Sequence, residues 1–162
     1  MATDPPADLT LTPLDGEGRT LSEWLTTFHL AVVAVDPYTN ESSWILDTAL
    51  RVLRPLRDAD VRVGWLVTAG VEDAKGFLGP LADEMLTLID PDRVAVRAMG
   101  IERLPAFVFV MMDGSVAAAA EGWQPLQWRA VAEKIAEATA WKAPLIPDAT
   151  DPRPYAGTPA LG

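Results

Sequence analysis

Hydrophobic and polar positions change period several times along the chain, and each change marks an element. Residues 8–14 (DLTLTPL) interleave polar and apolar side chains, the period of a half-buried strand, and run into the turn Asp15-Gly16-Glu17-Gly18. Residues 20–24 (TLSEW) begin a short helix capped by Thr20 or Ser22. Residues 30–35 (LAVVAV) are a continuous Val-rich run, as in a strand covered on both faces, and Asp36-Pro37 ends it. From about Ser42 to Arg57 the period is helical: Trp44, Ile45, Thr48, Ala49, Val52, Leu53 and Leu56 share a face, and Pro55 kinks or ends the helix. Residues 61–67 (VRVGWLV) predict a second buried strand, and residues 72–88 read as helical, interrupted at Gly79-Pro80. Asp90-Pro91-Asp92 is a turn, followed by a short helix over 93–99 that Gly100 ends. Residues 106–112 are a third apolar strand, Asp113-Gly114 a tight turn, and residues 115–121 a fourth strand. Residues 127–142 form a last amphipathic helix, with Trp128, Val131, Ile135 and Ala138 on one side.

This order predicts an α/β sandwich of three layers, a central mixed sheet with helices on both faces. The first two core strands run parallel because a helix returns the chain between them, and Asp113-Gly114 joins the last two antiparallel. Residues 1–7 read as a leader, 8–142 as the domain and 143–162 as a tail. Prolines 144, 147, 152, 154 and 159 exclude helix and central strand from that tail, which either drapes extended over the domain or moves freely.

Composition narrows the chemistry more than the fold. The 162 residues, 49% of them hydrophobic, suffice for one globular domain. Cysteine is absent, which excludes disulfides, thiolate nucleophiles, redox dithiols and cysteine-bound metal centres. His29 is the only histidine, so a histidine-rich metal site is excluded too. Acidic residues outnumber basic ones 23 to 13, for a net charge of −10, which opposes binding to nucleic acid or an anionic membrane surface. The N-terminal residues are acidic and proline-broken, and no apolar stretch approaches the roughly 20 residues that cross a bilayer, so the expected setting is the cytoplasm. The carboxylate pairs Glu72-Asp73, Asp83-Glu84 and Asp90 with Asp92 lack the spacing of a calcium loop, and no phosphate-binding glycine loop or Gly-x-Ser-x-Gly elbow occurs. No metal or cofactor is expected.

Several segments resemble, in order and spacing, the peroxiredoxin and thiol–disulfide reductase branch of the thioredoxin-like proteins. Leu14-Asp15-Gly16 and Leu21-Ser22-Glu23-Trp24 resemble the turn and short segment ahead of the family's first core strand. Leu88-Ile89-Asp90-Pro91-Asp92 resembles its DPDG turn, and Val94 to Met99 the short helix behind it. Ile101-Glu102-Arg103-Leu104-Pro105-Ala106-Phe107 resembles its proline loop, Met112-Asp113-Gly114 its hairpin, and Gly122-Trp123 follows the last strand as in many relatives. The resemblance covers about residues 8–137. It implies a three-layer thioredoxin-like sandwich and a cis peptide before Pro105, which makes the backbone near Arg103 and Leu104 available to an extended peptide. Read alone, Pro105 could instead start an edge strand.

The stretch where that family carries its cysteines departs from it: Asp36-Pro37-Tyr38-Thr39-Asn40-Glu41-Ser42-Ser43-Trp44. Aligning Tyr38 with the aromatic residue before the first cysteine puts Thr39 and Ser42 at the thiol positions, flanking Asn40 and Glu41; a register shifted by one chooses Asn40 and Ser43. A hydroxyl is far less acidic than a thiol and forms no exchangeable disulfide, so thiol–disulfide exchange and thiol peroxidase chemistry are excluded. A nucleophilic Thr39 or Ser42 needs a base, and His29 lies a strand away, roughly 20 Å at about 3.3 Å per residue. Residues 39–43 otherwise read as a helix N-terminus with an acidic residue near the positive end of the dipole. The resemblance then implies a redox-inactive thioredoxin-like protein, chaperone-like or an assembly subunit, with no catalytic residue. It binds protein through a groove of Tyr38, Trp44, Arg103, Leu104, Pro105 and Trp123, and the partner is another protein or a second copy of this chain. The alternative is a thiol-binding transferase-like enzyme whose Thr39 or Ser42 hydroxyl activates the thiol, although the all-helical second domain of such enzymes is missing. A third reading makes the tail a docking peptide.

Overall fold

A computed structural model describes all 162 residues, and no helix in it is long and apolar enough to cross a membrane. Strands β1 (Thr10–Pro13) and β2 (Arg19–Thr20) form the opening hairpin. Thr20 caps α1 (Leu21–Trp24): its hydroxyl accepts from the Glu23 amide at 3.2 Å, and the Glu23 carboxylate accepts from the Thr20 amide at 3.3 Å. Strand β3 (His29–Val35) explains the continuous apolar run, because Ala31, Val33 and Val35 face one core and Leu30, Val32 and Ala34 the other.

The helix expected from Ser42 to Arg57 starts two residues earlier and is in pieces. It begins at Asn40 as α2 (Asn40–Trp44), restarts as α3 (Leu46–Leu53) and closes in a 3-10 turn over Arg54–Leu56, where Pro55 cannot donate. Strand β4 (Val61–Val67) then pairs parallel with all of β3. The expectation of helix over 72–88 is corrected in its last turn. Helices α4 (Val71–Leu78) and α5 (Leu81–Glu84) part at Gly79, whose φ of 56° suits glycine, and Leu86–Ile89 is strand β5. Tertiary pairing overrides the short helical pattern, since β5 lies between β4 (parallel) and β1 (antiparallel), with ladder hydrogen bonds on both edges.

Helix α6 (Val94–Ala98), the two-residue strand β6 (Arg103–Leu104), strands β7 (Ala106–Val110) and β8 (Val116–Glu121), and helix α7 (Pro125–Thr139) follow. Seven strands make one mixed sheet in the order β2-β1-β5-β4-β3-β7-β8. Helices α3, α4, α5 and α7 cover one face, α1 and α6 the other, each over its own apolar core. The three-layer sandwich is as the sequence predicts.

Of the two fates open to the tail, draping is observed. Arg51 holds it beside α3, donating to the Leu145 carbonyl and to Asp151 Oδ2, and Arg129 of α7 donates to the Ile146 carbonyl at 2.6 Å. The tail's last strand, β9 (Thr158–Pro159), pairs antiparallel with β6. The leader is tied down as well: the Thr3 amide donates to the Met99 carbonyl at 2.8 Å, and Asp4 accepts from the Val116 amide at 2.8 Å.

Candidate functional site

Strand β3 ends at Val35, and the residues from Asp36 to Thr39 turn the chain into α2. The Asp36 carboxylate, 3% exposed, accepts from the Tyr38 amide at 3.0 Å and pairs with Arg93 at 3.0 Å. Its own amide donates to Ser42 Oγ at 2.9 Å, so the hydroxyl at the second thiol position is wholly buried and accepting from backbone. Thr39 stands at the N-cap of α2, yet its hydroxyl caps nothing: it donates back to the Asp36 carbonyl at 3.0 Å. In the shifted register, Ser43 Oγ donates to the Asn40 carbonyl at 2.7 Å. None of these hydroxyls has a carboxylate or imidazole as partner. His29, at the far end of β3, accepts from the Met112 amide at 2.9 Å and lies edge-on to Phe109. The transferase-like alternative therefore finds no activated hydroxyl at Thr39 or Ser42, because both are spent on holding the turn. No three acidic or imidazole groups converge on a metal-sized space.

The Leu104–Pro105 peptide is cis. Beside it, the Glu121 carboxylate accepts from the amides of Glu102 at 2.6 Å and Arg103 at 2.7 Å. Leu104 and Trp123 are completely buried, whereas Tyr38 and Trp44 are 64% and 54% exposed. The six residues expected to line one open groove thus divide: Leu104, Pro105 and Trp123 are buried, Arg103 is half-buried, and Tyr38 and Trp44 are exposed.

The sequence did not reveal that this groove is full. Tyr155 exchanges both backbone hydrogen bonds with Trp123, at 2.8 and 3.0 Å. The Trp123 indole donates to the Pro152 carbonyl at 2.8 Å. Arg103 donates to the carbonyls of Ala156 and Gly157, and the Ala160 amide donates to the Glu102 carbonyl at 2.9 Å. Arg93, in a left-handed conformation at φ 58°, bridges loop and tail: one nitrogen pairs with Asp36 and another donates to the Ala160 carbonyl at 2.6 Å. Tyr155 also joins the exposed Trp44 to the buried Trp123. Its ring meets Trp44 edge-on at 5.5 Å and its hydroxyl donates to the Glu41 carbonyl at 2.6 Å. Burial, with Glu41 nearby, raises its pKa far above that of free tyrosine. The Tyr38 phenol donates to the Asp73 carboxylate, and that hydrogen bond raises its pKa.

Two glycines make this closeness possible. A Cβ at Gly157 (φ +81°) would lie 2.4 Å from the Leu104 carbonyl oxygen, and one at Gly122 (φ +67°) 2.6 Å from the Ala156 oxygen. Sequence reading found the loop from Asp36 to Trp44 and Gly122-Trp123 but missed Arg93, Glu121, Tyr155 and Gly157 as parts of the site. Their one advance signal was a tail rich in proline yet furnished with a tyrosine and a glycine.

No protein-family model and no curated protein sequence matches the chain. Solved structures do. A secreted disulfide oxidoreductase of Mycobacterium tuberculosis, homologous to E. coli DsbE, superposes with a TM-score of 0.62 at 18% identity, over 81% of this chain and 96% of that one. MTB DsbF, in mixed oxidized and reduced forms, gives 0.65 at 16% identity over 81% and 95%. Peroxiredoxin Q of Xanthomonas campestris gives 0.64 at 14% identity over 84% and 94%. The fold is thioredoxin-like, its neighbours span the reductase and peroxiredoxin branches that the sequence resembles, and this chain has none of the cysteines such chemistry needs.

Proposed function

We propose that this chain is a redox-inactive thioredoxin-like protein that works by holding an extended protein segment in the groove beside Pro105, a groove its own tail occupies at rest. One observation carries the reading: the tail already sits there as an added strand, with β9 on β6 and Tyr155 bridged to Trp123. Strand addition takes its affinity from main-chain hydrogen bonds, which any sequence able to extend can supply, and its selectivity from the side-chain pockets beside them. The role is that of an assembly or chaperone-like subunit, and the cytoplasmic setting expected from the sequence belongs to the same proposal. The absence of thiols fits it, since a binding groove needs no electron transfer.

The test uses the full-length chain carrying Gly157→Val, which cannot seat its own tail because the new Cβ meets the Leu104 oxygen. A fluorescent synthetic peptide with the sequence of residues 150–162 is titrated by anisotropy into this variant and into the unaltered chain. The expected result is saturable binding to the variant. Binding to the unaltered chain is at least tenfold weaker, because the tethered tail competes at an effective concentration of about millimolar. A folded variant that binds no peptide overturns the reading.

A further inference from the structure

The tail also shows which side chains the groove reads. It touches the domain through an uneven set of residues, and the alternation between gripped and free positions amounts to a sequence code. Asp151 is gripped: its side chain is 3% exposed, one oxygen accepts from Thr48 at 2.8 Å and the other from Arg51 at 2.6 Å. Arg153 and Pro154 are exposed. Tyr155 is gripped between Trp44 and the Glu41 carbonyl. Ala156 turns its side chain to solvent. Gly157 is gripped by exclusion, since nothing larger than hydrogen fits against Leu104 in its left-handed conformation. Thr158 is half-buried, with one long hydroxyl contact of 3.4 Å, and Pro159 is exposed. Ala160 is gripped again, 1% exposed, with its amide on Glu102 and its carbonyl on Arg93.

We infer that the groove is selective for extended segments of the form Asp-x-x-x-Tyr-x-Gly-x-x-Ala, and that its partner is a protein presenting this pattern in place of the tail. The inference rests on the reading of the groove as a protein-binding site and adds the partner's chemistry. Each fixed position matches a different feature of the receptor. The carboxylate answers the Arg51 guanidinium, the phenol answers an aromatic edge plus a free carbonyl, glycine answers a steric wall, and the small apolar residue answers a closed pocket. A second copy of this chain carries the same pattern but meets the same tethered competitor. A different protein displaces the tail by adding contacts of its own, and the half-exposed ring of Trp44, which meets Tyr155, offers a place where such contacts can form.

Peptides spanning residues 150–162 test the code against the Gly157→Val chain. Those carrying Asp151→Asn, Tyr155→Ala, Gly157→Ala or Ala160→Leu are expected to bind at least tenfold more weakly than the unaltered peptide. Those carrying Arg153→Ala or Ala156→Ser are expected to stay within about threefold. Equal binding by all peptides overturns the code while leaving the groove a binding site; no binding by any peptide to a folded receptor overturns both. A second measurement uses otherwise unaltered chains. Amide exchange at Trp123 and Ala160 is expected to accelerate at least tenfold in full-length Asp151→Asn and Tyr155→Ala, and to hold in Arg153→Ala. Protection that all three variants leave unchanged overturns the code independently.

Discussion

The two ends of the sheet are closed to different degrees. At the end where β3 runs into Asp36, each prominent polar group has a protein partner: Ser42 holds a backbone amide, Asp36 is paired with Arg93, and the tail closes the opening. At the other end β4 outruns β5, whose pairing begins only at Gly64, so Val61 to Val63 have no neighbour on that side. A cavity of about 520 Å³ lies there, lined in part by Arg57, Arg62 and Glu84. The Arg62 guanidinium lies 5.6 Å from the ring centres of both Trp24 and Phe28, and its buried Nε has no hydrogen-bond partner. The loop where the resemblance places the thiols is thus at the sealed end of this fold. The loop residues hold a turn through Ser42 and Thr39 and the tail through the Glu41 carbonyl and the Asp36–Arg93 pair.

Breaking the seal is expected to cost most. Trp123 is completely buried, packs edge-on to Trp128 at 5.2 Å and donates to Pro152. Trp123→Ala should lower unfolding free energy by about 3–5 kcal/mol in urea titration. Trp141, 45% exposed with its indole on the Pro55 carbonyl, should cost about 1 kcal/mol when changed to alanine, the worth of a typical hydrogen bond. Equal losses at the two positions would contradict the sealed-end description. Next comes the ion pair. Asp36→Ala leaves Arg93 facing a buried site without its carboxylate, at a cost of about 3 kcal/mol. Because the same guanidinium holds the Ala160 carbonyl, amide exchange at Ala160 should accelerate with it.

The sheet was the legible part. Strands β3, β4 and β7 announce themselves by runs of apolar residues, because a strand buried on both faces has few polar positions to confuse its pattern, whereas the half-buried edge strand β8 is marked by the tight turn before it. Strand β5 was not legible: four residues, Leu86 to Ile89, fit the tail of a helical period as well as a strand, and only pairing on both edges decides. The loop at Thr39 and Ser42 could be placed by resemblance, but the direction of each hydroxyl could not, since N-cap, nucleophile and turn-brace share one spelling. The seal was least legible of all. Thr158 meets Leu104 across 54 positions of sequence, and nothing local to either residue predicts the other.

Smaller changes sharpen the contrast between hydroxyls. Ser42→Ala removes the acceptor of the Asp36 amide inside the protein, with an expected loss of about 1–3 kcal/mol, the cost of a buried donor left unpaired. Thr39→Ala removes a half-exposed hydroxyl whose acceptor carbonyl also receives the Thr39 amide at 3.2 Å, with a loss of about 0.5 kcal/mol. At the open end, Arg62→Met removes a guanidinium that makes no hydrogen bond while keeping a long apolar stem against Trp24 and Phe28, so stability should stay within about 0.5 kcal/mol. A loss above the Ser42→Ala value would reverse the contrast.

Acid should separate the two ends by a still smaller effect. In the tail, hydrogen bonds from the Thr150 amide and then the Thr150 hydroxyl, both 2.9 Å, hold the Asp148 carboxyl below the usual carboxylate range. A carboxyl whose pKa is depressed by folding stabilises the folded turn above its unfolded pKa of about 3.9, and that contribution is lost as pH falls from there through the folded value. The Asp148 carboxyl accepts only from Thr150 of the same turn, so the loss is confined to that turn. Asp148→Asn should therefore remove part of the acid-induced rise in amide exchange at Thr150 below about pH 4, where the unaltered carboxyl begins to protonate. It should leave Ser115 unaffected, because that residue's partner Asp113, also held low by hydrogen bonds from Ser115, belongs to the β7–β8 turn at the other end. An identical acid profile at Thr150 in the two proteins would show that the tail's hold on its groove does not pass through this turn.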